Sequence, residues 1–373
     1  MNRQETKIFF DLLRNALFAT PIPTETWTEK WSWKPVLKAV EDHVLQTLVT
    51  EPLMALPDNV KPGFDVLSRY MQYVALNMQE HVRLNKDLVK VFSLLEQEGY
   101  KPVLMKGQGN ATFYRNPMLR KCGDIDIFIG KNRYEESCSF ILSALQDTKV
   151  VKDELKHLEF TWGKTEVEMH RYAEIECPPQ NDAAYQALIE KYMYKPDVVA
   201  IDSASISIPP AQFNALYVFN HMWNHFKMGG VGFRQFADIA TILHATAGKY
   251  DVEQLGKDLK AVGLMLEWKV VGGVIVDLMG LPENEYPFYE KMPIEKSYAM
   301  ADLVLNDGNF AKNRNDLLQR QEGRSEFVHI LCYLFMHFKR CYLLSKASFR
   351  LGLRTLAATL KRGSMKMIKG EED

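Results

Sequence analysis

The feature that most constrains the fold of this chain is six residues long: Asp124, Ile125, Asp126, Ile127, Phe128 and Ile129. Strict alternation of this kind predicts a β-strand, because successive side chains of a strand leave opposite faces. Asp124, Asp126 and Phe128 then share one face and the three isoleucines the other. Residues two apart on a strand have Cα atoms about 6.5–7 Å apart, so the two carboxylates repel each other. A strand facing water or a core gains nothing from such a pair. A hard divalent cation removes the repulsion: Mg²⁺ takes oxygen ligands, typically one or two protein carboxylates plus phosphate oxygens. Two ions about 3.5–4 Å apart clamp the attacking and leaving oxygens of a phosphoryl displacement.

Other segments fit the same chemistry. Gly163–Lys164 separates two strand-like runs, 157–162 and 165–170, and glycine first in a two-residue loop predicts a type II′ hairpin. On the second run Glu166, Glu168 and His170 share a face, with Val167 and Met169 opposite. If this run lies beside 124–129, Glu168 completes a three-carboxylate set, since cross-strand neighbours sit about 4.5–5.5 Å apart. Glu168 is then a metal ligand or the base for an attacking hydroxyl. Upstream, an apolar strand at 102–105 ends in Lys106–Gly107. Gly107 permits a tight turn and close backbone approach to phosphate. A helix over 108–114, opened by Gln108, would turn its N–H groups toward a triphosphate. Lys106 and Arg120 are the natural phosphate partners, one a point charge and one a planar fork. An Asp-x-Asp pair or a Lys-Gly turn alone is common; with an acid on a predicted hairpin they point to one chemistry.

A chain of 373 residues suggests two or three domains. Residues 1–60 read as short helices with joints at Pro21, Pro23, Pro35, Pro52 and Pro57. Residues 64–98 read as a long helix with at most one break, stopped by Gly99. Its stripe of Leu67, Met71, Val74, Met78 and Val82 continues through Leu84, Leu88, Val91 or Phe92, and Leu95, and reads as core packing. Asn132 with Glu135 predicts a helix start, running through Gln146. A short strand at 205–208 precedes Pro209–Pro210, and helical periodicity holds from 211 onward. The expectation is an α+β region at 61–208 between a helical segment, 1–60, and a mostly helical domain, 209–373.

Lys plus Arg is 46 against 47 for Asp plus Glu, a net charge of −1, so nothing global drives the chain onto nucleic acid. Cys122, Cys138, Cys177, Cys332 and Cys341 are odd in number and form no CxxC pair, which argues against a disulfide framework or a cysteine zinc site. A reducing cytoplasm fits best. The N-terminus carries Asp11 and Arg14 within its apolar stretch and does not read as a signal peptide. The longest uncharged apolar run, 327–336, is about half of the ~20 residues a spanning helix needs, and His329 interrupts it. A soluble or at most peripheral protein is expected.

Three further signals are weaker. His221 and His225 lie i, i+4 on one helix face, a spacing able to bind zinc, but no Glu follows the first His as in HExxH and no third ligand is evident. A structural or cleft-lining role fits better. Arg234 and Asp238, also i, i+4, read as a surface pair worth tenths of a kcal/mol. Residues 337–370 carry Lys339, Arg340, Lys346, Arg350, Arg354, Lys361, Arg362, Lys366 and Lys369, no acid, and interleaved leucines. That is a basic amphipathic tail. It packs on its own domain or touches an anionic membrane surface. No RNA-binding signature is present, and no sequence-specific nucleic acid is expected.

Taken together, these residues resemble the DNA polymerase beta-like nucleotidyltransferase superfamily. They are most similar to the bacterial family called uncharacterised nucleotidyltransferase (nucleotidyltransferase family 5). The resemblance is carried by VLMKG at 103–107, RKCGDIDIFI at 120–129, His157, VEMHR at 167–171, HMWNH at 221–225 and FRQFADIATIL at 233–243. It covers about residues 60–245. It implies a small mixed β-sheet core with flanking helices followed by a helical domain, and NMP transfer from an NTP, ATP among them. Asp124, Asp126 and Glu168 would hold Mg²⁺ or Mn²⁺, and Lys106, Gly107, Gln108 and Arg120 the nucleotide. His157, His170, Arg171, His221, His225, Arg234 and Asp238 would belong to the substrate cleft. The superfamily usually has Gly-Gly or Gly-Ser at the phosphate turn and Asp as third acid; this chain has Lys106–Gly107–Gln108 and Glu168. The expected function is transfer to a hydroxyl of a small molecule or protein. The alternative is a catalytically silent nucleotide-binding or toxin/antitoxin-like module.

Overall fold

A computed structural model describes residues 1–175, 179–228, 230–308, 338–357 and 360. Cys177, Cys332, the apolar run at 327–336 and Lys361, Arg362, Lys366 and Lys369 of the basic tail lie outside the described residues.

The chain begins with three helices, α1 (Arg3–Phe18), α2 (Trp33–Asp42) and α3 (Gln46–Ala55), followed by the long α4 (Phe64–Gln97). Then come β1 (Val103–Met105), the short α5 (Gly107–Ala111), β2 (Asp124–Phe128), α6 (Tyr134–Ala144), β3 (Thr148–Asp153), β4 (His157–Trp162) and β5 (Thr165–His170). α7 (Pro179–Tyr192) and the hairpin β6 (Asp197–Ile201) and β7 (Ala204–Ile208) lead into α8 (Ala211–Met228), α9 (Phe233–Ala245), α10 (Val252–Ala261), α11 (Met265–Gly273) and α12 (Ile294–Asp307). Among the described residues, no helix is long and apolar enough to cross a membrane.

The architecture is α+β with a five-stranded sheet in the order β1-β2-β5-β4-β3. The sheet is mixed: β2 and β5 run parallel, and the other pairs antiparallel. Alternation decides its faces. Ile125, Ile127 and Ile129 of the 124–129 run, with Leu158, Phe160, Val167 and Met169, enter one core with Leu84, Leu88, Val91, Phe92 and Leu95 of α4 and Ile141 of α6. Each such side chain contributes about 1.5–3 kcal/mol by leaving water. The opposite face carries the polar residues, beside Val103, Met105 and Phe128, which are buried in another core. Gly163 takes a positive φ of 60° at the head of the β4–β5 turn, as a glycine-first hairpin requires.

Several expectations need correction. The helix expected from Asn132 starts at Tyr134, behind an Arg133 in left-handed conformation with no side-chain cap, and ends at Ala144. Arg133 instead pairs with Glu136. The helix expected over 108–114 is only Gly107–Ala111. The helix expected at 64–98 is one unbroken element, but in the first half of its apolar stripe only Leu67 packs against a core. Met71, Met78 and Val82 are exposed. Tyr70, Asn77 and His81 turn inward instead. The reason is polar: Asn77 Nδ2 donates to the Met118 carbonyl at 2.7 Å and His81 Nε2 to the Arg120 carbonyl at 2.5 Å. Buried carbonyls of an irregular segment need donors, and that need rotates the helix away from its most apolar face.

In space the first segment joins the last. Ile8, Phe9, Phe10, Val36 and Leu48 share a second core with Phe213, Phe219, Phe233, Ile239 and Trp268. Phe9 and Phe10 meet Phe233 edge-on, with centroids at 5.4 and 5.2 Å. The helices of 1–60 thus brace α8, α9 and α11, from which β1–β7 separate them in sequence.

Candidate active site

The polar face of the sheet gathers the acids. Parallel register sets Asp126 beside Glu168 and Asp124 beside Glu166. Asp124, Asp126 and Glu168 offer oxygens within 4.8 Å of one another. Glu166 is exposed and stands outside this set. Antiparallel register places His157 across from His170, and the rings lie 4.9 Å apart at a tilt of 32°. His170 is buried between the acids, its Nε2 3.1 Å from Asp126 Oδ1 and 2.9 Å from Glu168 Oε2.

Lys106 reaches the same point from the end of β1, with Nζ 2.8 Å from Asp126 Oδ1. Its backbone has φ 54° and ψ −137°, and Gly107 follows with φ 38°. Glycine adopts such conformations readily; a lysine is held there at a cost of about 1–3 kcal/mol. A Cβ on residue 107 would sit 3.3 Å from the Asp124 carbonyl oxygen, so the turn packs its backbone directly on β2. Lys106 therefore occupies a glycine-like position, and its side chain supplies a cation to the acids.

The charges are unevenly settled. Asp124 is pushed up to about 6, first by the neighbouring Asp126 and then by burial, with Lys106 opposing. For Asp126, burial works to raise the carboxyl, but Lys106 and His170 outweigh it and hold it well below the usual range. Burial likewise opposes the charge on Lys106, and Asp126 and Asp124 more than restore it. His170 is raised, its two carboxylate partners overcoming burial. The set fits a hard divalent cation: three carboxylates converge, one still carries unrelieved repulsion, and an ammonium already stands among them.

These groups line a cleft of about 300 Å³ between the sheet and α8 and α9. Lys106, Gly107, Arg120, Asp124, Asp126, His157, Glu168, His221, His225, Arg234 and Asp238 all border it. Gln108 is buried behind the turn, its amide without a partner among the described residues. Arg171 turns away to Glu135 and the Tyr134 ring. A larger hollow of about 530 Å³ at Tyr250, Tyr286 and Phe288 contains none of these residues.

Arg120 departs from the sequence reading. It is buried, and its fork closes on Asp238, with Nε to Oδ1 and Nη2 to Oδ2 both at 2.7 Å. Tyr114 Oη donates to the same Oδ1 at 2.6 Å. The fork expected to meet phosphate is thus filled by protein. Asp238 pairs with Arg120 in the interior, not with Arg234 on a helix surface. Arg234 Nη1 donates to the Lys121 carbonyl at 2.9 Å, and its buried Nε has no partner among the described residues.

His221 and His225 meet edge-on, centroids 4.5 Å apart. His221 Nδ1 lies 2.8 Å from Glu174 Oε2, and Lys156 Nζ 2.8 Å from Glu174 Oε1. His221 is pushed down to about 4 by burial and then by the Lys106 charge. At neutral pH this wall therefore presents uncharged imidazole. Glu174 and Lys156 carried no local sequence signal; only their meeting with His221 reveals them.

Residues 29–268 match a family model described as "Uncharacterised nucleotidyltransferase". No curated protein matches.

Proposed function

The chain belongs to the uncharacterised nucleotidyltransferase family, and from that premise we propose that it transfers an NMP from an NTP to a hydroxyl of a small molecule or protein, with Mg²⁺ or Mn²⁺. The observation that carries this reading is the convergence of Asp124, Asp126 and Glu168 on one cleft point. Those residues would hold the divalent ion, which supplies charge neutralisation at the phosphates when bound. Glu168, on the sheet face that borders the cleft, either completes that ligand set or accepts the proton of the attacking hydroxyl. His170 keeps Glu168 and Asp126 in place from behind. Lys106 moves from Asp126 to the leaving pyrophosphate, and Arg234 offers a second donor from the opposite wall. Arg120 is a positioning residue, fixing the segment that leads into β2. Charge placement of this kind is the largest part of catalysis in such sites.

Mg²⁺ or Mn²⁺ is expected to raise NTP affinity, and Asp124→Asn or Asp126→Asn to abolish that gain in a folded protein. Calorimetry with and without EDTA measures it, and a metal-linked gain unchanged in both variants rejects the site. Lys106→Met is expected to weaken ATP binding by about 1.5–3 kcal/mol, the worth of one charge-assisted hydrogen bond, and adenosine binding much less. Titrations of ATP, AMP and adenosine decide it: equal losses would assign Lys106 to the fold. A silent nucleotide-binding module has one observation on its side, the Lys106 ammonium seated on Asp126. Radiolabel transfer from each NTP into a cell extract separates the two readings.

A further inference from the structure

We propose that His157, His170 and Glu168 form a distinct cation site of mixed imidazole and carboxylate chemistry, which takes a borderline first-row divalent ion such as Zn²⁺ or Co²⁺ rather than Mg²⁺. The site shares Glu168 with the carboxylate set but does not depend on nucleotidyl transfer.

The register builds it. Pairing of β4 with β5 sets His157 opposite His170, and alternation along β5 returns Glu168 to the same face. His170 Nε2 lies 2.9 Å and His157 Nε2 4.0 Å from the same Glu168 oxygen, Oε2. All three ligand atoms fall within 4.8 Å of one another. Around a tetrahedral ion with bonds of about 2.0–2.1 Å, neighbouring ligand atoms lie about 3.4 Å apart. Closing on an ion therefore asks mainly for a small inward swing of His157, the more exposed of the two rings.

Both rings direct Nε2 inward. The Nδ1 atoms are buried and have no partner among the described residues, so neither ring is anchored through its far nitrogen; His170 is held through Nε2, by Asp126 and Glu168, and an ion must displace the Asp126 contact. His157 borders the cleft, which gives an ion its way in. Donor type sets the selectivity: imidazole nitrogen suits Zn²⁺ and its neighbours, while Mg²⁺ prefers oxygen alone. A ligating nitrogen carries no proton, so His170 Nε2 gives up the hydrogen bonds it makes to Asp126 and Glu168.

The test is titration of the full chain with CoCl₂ alone, followed by visible absorption and by the paramagnetically shifted, exchangeable imidazole N–H proton signals. Two shifted signals are expected, one per ring. His157→Ala should remove one and weaken Co²⁺ binding at least tenfold; Asp124→Asn should keep both. Co²⁺ binding without shifted imidazole signals, no Co²⁺ binding, or loss of the signals in Asp124→Asn overturns the site. The wild-type signals stand on their own if His157→Ala fails to fold. Absent Co²⁺ signals beside intact Mg²⁺-linked NTP binding sink this site alone. Present Co²⁺ signals without any Mg²⁺-linked NTP binding support it while sinking the transfer reading.

Discussion

Arg120→Met is expected to destabilise the fold by about 3–5 kcal/mol, the usual consequence of leaving half of a buried ion pair behind. Asp238 is buried and keeps its carboxylate ionised through Arg120, with help from the Tyr114 hydroxyl. Without the guanidinium it must either stay charged in the interior or take up a proton. The pair also joins the segment before β2 to α9, so its loss loosens the cleft from two sides. Chemical denaturation of the variant measures the loss. The double variant Arg120→Met, Asp238→Leu should recover much of it, since an apolar pair of similar volume often replaces a buried ion pair at little cost. A single variant within about 1 kcal/mol of the wild type would mean that solvent reaches Asp238.

The second large effect has the opposite sign. Asp124→Asn should stabilise the metal-free protein at neutral pH while destroying its metal-linked nucleotide binding. The Asp124 carboxyl is raised from 3.8 to about 6, chiefly by Asp126, so the folded state binds this proton more tightly than the unfolded state does. The resulting stabilisation is fully present below pH 3.8 and is lost as pH rises through about 6. By linkage the loss amounts to at most about 3 kcal/mol. Asparagine cannot ionise and escapes it. In EDTA, denaturation midpoints of wild type and variant should therefore separate between pH 4 and 7, the variant being the more stable. Mg²⁺ should narrow the gap by stabilising only the wild type. A variant less stable than wild type at pH 8 in EDTA would show that the Asp124 carboxylate is already relieved in the metal-free protein.

Much of the site was legible in the chain because it depends on a period of two. Alternation at 124–129 and at 165–170 fixes which residues share a face, whatever lies around them. A parallel pairing of these strands then brings Glu168 to Asp126. The glycine-first turn at Gly163 was legible for the same reason: a local backbone demand selects a local residue type. The mixed sheet with flanking helices followed from the resemblance carried by these motifs, not from the alternation itself.

Other features were decided by partners far away in sequence. Arg120 looked like a phosphate ligand because it stands just before the acid-bearing strand, and only packing of α9 brought Asp238 to its fork. The first half of α4 looked like core from its methionines. The unpaired carbonyls of Met118 and Arg120 drew Asn77 and His81 inward instead. Glu174 and Lys156 come from two loops and His221 from α8, and they share no spacing. Sequence by itself determined the strand faces and the hairpin, because each follows from neighbours along the chain; the acids converge only once β2 and β5 pair. Tertiary structure alone decided which cations and imidazoles answer those acids, because a buried charge or carbonyl is satisfied by whatever folding brings within hydrogen-bond reach.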